Sequence, residues 1–513
     1  MKIPFIIQNE PTKRFNNVLK NILSLLLITY LISSCSDKFD FDPDVEDATV
    51  SSGSANFSKY IALGNSLTSG YMDGTVYSSG QTGSYPNIVA TQMQLAGGGA
   101  FKQPLMPNDV GGFTNLPGFP GKLSLQLING SLTPVAAAPA AALDNVATSG
   151  PYQNLGVPGA KSFHLTLNGY GSAANLALGT ANPFYVRHAT STTSNVVADA
   201  MVQTPTFFSL WIGNNDVLGY ATSGGTGIIG GTGSSDITST AMFTAAYTGT
   251  VNTLVSGGAK GVLANLPYVS SIPFFTTVPY NPLTPATLSA NLTTLNAQLY
   301  GPLKTILTAA GEGSRINLLS STANNPLLII DKSLTSMSTA ITTGLTPSLG
   351  AAQAAAFGAI FGKARQATSE DLILLITRSV IGTTAVGVPS PINVYGISYP
   401  LQDAHVLTKS EVTDCTNATN AFNGVIKTLA DNLGLAFYDA NAEMQNLQSG
   451  MTFNGQTYTT TYVTGGSFSL DGVHPNGRGY AIIANGFIKA INAKYGSTLP
   501  QVDPNIYKGV TFP

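Results

Sequence analysis

An α/β layer fold built on a parallel sheet is the class this 513-residue sequence predicts, and three observations predict it. Four short β-rich runs recur far apart, at 59–64, 206–213, 261–267 and 434–439. Three of them close on Gly or Pro, as buried strands meeting turns do. Stretches of helical periodicity lie between and after them, around 84–95, 241–256, 286–311, 416–432 and 478–494, and strands alternating with helices make a parallel sheet. Hydrophobic residues make up 43% and charged ones 9%, with 21 Tyr and 23 Phe. That excludes a disordered chain, which needs high charge and few aromatics.

The chain opens with Lys13, Arg14 and Lys20 ahead of an apolar run at 22–32, then Ser33-Ser34-Cys35. The run is too short for a stable membrane span but fits the apolar region of a secretory signal over 1–34. Ile32-Ser33-Ser34-Cys35 resembles a bacterial lipobox, which implies a diacylated Cys35 and a lipid anchor in a membrane. Cleavage nearby with Cys35 incidental is the alternative. Asp37, Asp40, Asp42 and Asp44 follow in a segment similar to the surface-export tethers of Bacteroidetes lipoproteins, or simply a solvated linker. The expectation is a signal peptide 1–34, a tether 35–57 and an outer-membrane location. With Cys35 lipidated, Cys415 stands alone and no intrachain disulfide forms.

The folded chain then runs from 58. Residues 58–319 hold the first three runs, and within them 221–237 is Gly, Ser and Thr with almost no charge, a mobile loop. A mostly helical insertion is expected at 320–410, with an Ala-rich pattern over 351–361 and an apolar run at 372–376. Residues 411–513 return to the sheet with the last strand and last helix. No tandem repeat of 20–50 residues is present. A net charge of −2 without a basic cluster leaves no footprint for nucleic acid. Two Cys with His164, His188, His405 and His474 show no metal-ligand spacing.

Four short segments carry candidate chemistry. Gly64-Asn65-Ser66-Leu67-Thr68 directly follows the first strand and puts Ser66 on a strand-to-helix turn, where Ser is also an ordinary helix cap. Asp471-Gly472-Val473-His474-Pro475 precedes the last helix. An Asp three residues before a His can reach Nδ1 and leave Nε2 free to take a proton, although the same residues also suit a helix start. Gly213-Asn214-Asn215-Asp216 follows the second run. An Asn amide at a strand end can donate to an oxyanion, and a Gly-Asn turn is the plainer reading. Asn154-Leu155-Gly156-Val157-Pro158-Gly159-Ala160 offers a Gly whose N–H can approach a ligand closely.

Together, in chain order, Ser66, Gly159, Asn215 and Asp471 with His474 resemble the four blocks of the SGNH (GDSL-type) hydrolase family. Asn65 stands where that family's name has Asp. The resemblance spans 60–495 in outline and is specific only at the four segments. It implies a three-layer α/β/α sandwich of flavodoxin-like order and hydrolysis of carboxylic esters, with neither metal nor organic cofactor. Ser66 would be the nucleophile, His474 the general base and then acid, and Asp471 its orienting partner. The Ser66 N–H, the Gly159 N–H and the Asn215 side chain would form the oxyanion hole, leaving Asn214 and Asp216 as structural turn residues. The substrate would be a small-molecule, lipid or glycan ester. A carbohydrate acetyl esterase and a non-catalytic surface binding protein on the same fold are the alternatives. The insertion at 320–410 would be either a lid sheltering an acyl chain or an extra layer with its own core. Apolar helix faces usually pack inward, which favours the layer.

Overall fold

The computed structural model describes residues 49–513. Five parallel strands form its central sheet: β1 (Tyr60–Gly64), β2 (Asn154–Gly156), β3 (Phe207–Trp211), β4 (Lys260–Ala264) and β5 (Ala436–Tyr438). All of β1, β2 and β3 is buried. Strands covered on both faces read as unbroken apolar runs, which is why β1 and β3 are visible in the sequence. The order is β2-β1-β3-β4-β5, a doubly wound arrangement whose connections reverse direction between β1 and β3. Ligands of such sheets bind outside the carboxyl ends of the strands at that reversal. Gly64 at the end of β1 is in register with Trp211 of β3 and Gly156 of β2.

β2 lies in a segment that the sequence reads only as a loop. It has no β-branched residue, and tertiary bonds hold it instead: Asn154 donates its amide to Thr68 O at 2.9 Å and Gln103 Oε1 at 2.8 Å. The hairpin Leu123–Ile128 with Ser131–Ala136 also escaped the reading, although its Asn129-Gly130 corner is a strong hairpin signal.

The helices that matter for the site are α1 (Ser66–Ser69), α2 (Tyr85–Leu95), α3 (Val196–Met201), α4 (Asn215–Thr222), α5 (Thr240–Val255), α6 (Ser338–Leu349), α7 (Ala351–Phe361), α8 (Lys409–Asn432) and α9 (Gly477–Tyr495). α2 packs on α9 through Tyr85 and Phe487, stacked at 4.5 Å. α5 packs on α8 through Phe243 and Phe422, stacked at 4.1 Å. α8 starts earlier than its periodicity suggests because Thr408 and Glu411 form a capping box.

Four expectations need correction. The tether does not extend to residue 57: Ala55 and Phe57 are buried, and Ser54 N–H donates to Tyr495 O at 2.8 Å. The stretch 221–237 is not a free loop, since Asp236 accepts from Ile228 N (2.9 Å) and Gly233 N (2.7 Å), and buried Lys161 donates to Gly233 O and Asp236 O. The helical stretch at 286–311 is interrupted at 289–291, between a single turn at Pro285–Leu288 and a helix that runs unbroken over 292–309 through a π-helical stretch at Asn296–Tyr300. Finally, the insertion begins near 278 rather than 320. Val278, Leu283, Leu299, Leu303 and Leu307 belong to a second core completed by Leu327, Ile341, Phe361 and Val406. Beside its helices that body carries two short antiparallel pairs, Leu328–Ile330 with Ala364–Gln366 and Leu372–Ile373 with Val406–Leu407.

Candidate active site

Ser66 begins α1 immediately beyond the carboxyl end of β1. Asn65 fixes that turn with both ends of its side chain. Its Oδ1 accepts from Leu67 N at 3.0 Å, and its amide donates to Asn214 Oδ1 at 2.9 Å. An ionised Asp there can only accept, so it would keep a bond to Asn214 only if the Asn214 amide turned to donate.

The Ser66 hydroxyl lies 2.8 Å from His474 Nε2, and His474 Nδ1 lies 2.9 Å from Asp471 Oδ2. The three residues are separated by up to 408 positions in sequence and meet because the loop before α9 returns to the chain that follows β1. Asn476 shapes that loop. Its amide donates to Gly466 O and Phe468 O, while its Oδ1 accepts from Arg478 N and Gly479 N at the start of α9. Gly472 turns the loop with φ +72°, and a Cβ there would come within 2.8 Å of Leu375 Cδ2.

Asp471 is held as a carboxylate. Burial pushes its pKa up, but the His474 charge and the N–H groups of His474 (2.8 Å) and Val473 (2.9 Å) outweigh burial and bring it down to about 2. Ser469 Oγ and Gly74 N complete its shell at 3.0 and 3.1 Å. A carboxylate so held fixes the imidazole tautomer that leaves Nε2 as acceptor for the Ser66 proton. The set can therefore activate a hydroxyl for attack.

Asn215 is the first residue of α4, at the end of β3. Its amide donates to Ala160 O at 2.9 Å and keeps a second N–H. Ser66, His474 and Asn215 line one cleft. Gly159 is exposed, with φ +79°, and the nearest atom to an added Cβ would be Asn182 Nδ2 at 3.8 Å. Its backbone conformation, not crowding, calls for glycine. Gly159 reaches the site through its neighbour: the Ala160 carbonyl joins its turn to Asn215. Asp216 points away, fully buried, accepting from Ser162 N at 2.8 Å and Ser162 Oγ at 2.7 Å. Burial raises its pKa to about 6 against those bonds.

Sequence reasoning missed the segment 71–77. The Tyr71 ring packs on the His474 ring at 4.6 Å, and Asp73 accepts from Leu470 N at 3.0 Å and Tyr77 OH at 2.7 Å. No motif marks these residues, because their role is set by a loop some 400 residues away. A larger cavity of about 800 Å3 lies beyond Asp73, walled by the C-terminal residues, and reaches neither Ser66 nor His474.

Among the described residues no cluster of three or more His, Cys, Asp or Glu could hold a metal ion. No described helix is long and apolar enough to cross a membrane. Cys415 is buried, and burial pushes its thiol up to about 12. Cys35 and the signal segment lie outside the described residues. No family model, curated protein or solved structure matches this chain.

Proposed function

We propose that this protein is a serine ester hydrolase of the SGNH (GDSL-type) kind, acting through an acyl-enzyme on Ser66. The observation that carries the proposal is the unbroken relay from Asp471 through His474 to Ser66, at 2.9 and 2.8 Å, beside the reversal point of the sheet. The grouping of α2 with α9, and of α5 with both α3 and α8, supports reading the layers as an α/β/α sandwich.

Ser66 Oγ attacks the ester carbon while its proton passes to His474 Nε2. The carbonyl oxygen becomes an oxyanion held by the Ser66 N–H, the Gly159 N–H and the Asn215 amide. Collapse breaks the bond to the alcohol oxygen, which takes the proton from His474. Water then attacks the acyl-enzyme, His474 accepts its proton and returns it to Ser66, and the carboxylic acid departs.

A fluorophosphonate probe with p-nitrophenyl esters tests this. Labelling should map to Ser66, and Ser66→Ala should lose labelling and lower kcat by a factor on the order of 10⁴–10⁶. His474→Ala should be nearly as severe and Asp471→Asn milder. Undiminished turnover by Ser66→Ala would end this reading, whereas a wild type with neither labelling nor turnover would leave a binding protein on a hydrolase-like fold.

We also propose that Cys35 carries lipid and anchors the enzyme at the outer membrane, from the resemblance of Ile32-Ser33-Ser34-Cys35 to a lipobox. Cys35→Ala should abolish incorporation of a fatty-acid analogue and release the protein from membranes or block its maturation. Incorporation that persists in this variant contradicts the anchor.

A further inference from the structure

Two small cavities with largely apolar walls lie side by side at the catalytic serine and together outline a passage. The outer one, about 70 Å3, opens at Ser66 and His474, and the inner one, about 30 Å3, reaches Tyr438 and Leu447. They share six walls, Trp211, Pro267, Met444, Phe468, Pro475 and Ile483. No Asp, Glu, Lys or Arg lines the outer cavity, and Glu443 is the one such residue in the inner cavity. Burial raises Glu443 to about 7, which lowers the charge presented there.

The hydroxyls in the outer wall are already used. Thr419 donates to Cys415 O at 2.8 Å and Tyr268 to Asn420 Oδ1 at 2.6 Å. Beyond the polar end formed by Ser66, Asn214, Asn215 and His474, a sugar or a charged group in the passage would lose water and find few partners, a costly exchange. An alkyl chain has no such requirement.

Building on the serine-hydrolase reading, we propose that this passage holds the acyl chain of the substrate, so that the enzyme prefers esters of unbranched, medium-length fatty acids over acetyl esters. The acyl half is the part that stays bonded to Ser66 Oγ once the alcohol has left, so a cleft that starts at Ser66 serves it through both halves of the reaction. Met444 and Val269 are the specificity-determining side chains: Met444 walls both cavities, and Val269 walls the outer one. Both are half-buried rather than core residues.

The test compares kcat/KM for p-nitrophenyl acetate, butyrate, octanoate and palmitate, with alkyl acetates of matching alcohol length as a second series. The wild type should favour octanoate over acetate by about tenfold or more. Met444→Trp should lower that ratio by about tenfold, and Val269→Trp provides an independent narrowing if the first variant does not fold. Val202→Ser, on an 83% exposed side chain, should leave the ratio unchanged. Fluorophosphonate labelling of Ser66 in each variant separates the two ideas. Labelling with a wild type that prefers acetate, or with both Trp variants within twofold of the wild-type ratio, overturns the acyl passage alone. A change confined to the alcohol series overturns it too, by assigning the cleft to the leaving group. Loss of labelling in the wild type overturns both readings.

Discussion

Three adjacent residues, Asn214, Asn215 and Asp216, do three different things, and their partners define them. Asn214 receives the Asn65 amide, Asn215 reaches Ala160 O, and Asp216 binds Ser162. Asn214 and Asn215 both line the cleft, and the bond to Ala160 O fixes the Asn215 amide with one N–H left over, which fits the proposed oxyanion donor. A donor used mainly when the oxyanion forms affects the transition state more than the bound ester. Asn215→Ala should therefore lower kcat by about 10²–10³ with little change in KM. A rise in KM alone would make Asn215 a substrate-binding residue, and steady-state kinetics on a single chromogenic ester distinguishes the outcomes.

At the scale of elements, the site depends on turns that lock strand ends to helix starts, and α4 shows how. Asp216 in its first turn ties the helix to Ser162, so the loop after β2 and the helix after β3 move together. Its carboxyl pays for burial with a raised pKa of about 6, above the ~3.9 of an unfolded Asp. The native state therefore binds the extra proton between about pH 4 and 6, and stability falls as pH rises through that window. Asp216→Asn cannot ionise. Relative to wild type, it should gain stability across this range, by at most about 3 kcal/mol, and stay level above it. Urea titrations at pH 4.5, 5.5 and 7.5 check this, and parallel stabilities would assign the raised pKa no energetic role. The same turns explain what was legible in the sequence. β1, β3 and β4 are apolar runs, and Ser66, Asn215, Asp471 and His474 sit in short motifs at strand ends or before a helix, so local pattern suffices for them. β2 and the supports from Tyr71, Asp73 and Gly74 owe their places to bonds with distant chain, such as Asn154 with Thr68 and Gly74 with Asp471. Periodicity cannot carry such information.

For the whole molecule, the question is how the second core bears on the first. The chain leading into and out of the second core packs on the first beside the loop that carries His474: Phe274 N–H donates to Gly472 O at 2.8 Å, and a Cβ on that glycine would meet Leu375. The two meet again at α8, where Asp371, paired with Arg365, accepts from Lys409 N at 3.0 Å. Phe357 and Ile360, the side chains that a lid would turn toward an acyl chain, instead pack half-buried against the second core. Neither lines the cleft at Ser66. Phe361 beside them is 1% exposed, its ring 5.4 Å from that of Phe357. Such packing fits an added layer better than a lid. Phe361→Ala should destabilise the protein by ~3–5 kcal/mol, the cost of emptying a buried aromatic site, and Phe357→Ala should do so by less. Both should leave the ratio of octanoate to acetate hydrolysis as in wild type, because the acyl passage is walled by β3, α8, α9 and the segments around 266–272, 444 and 468–475. Calorimetry with the ester series decides the point. A variant that keeps its Tm but changes chain-length preference would return the insertion to the role of a lid.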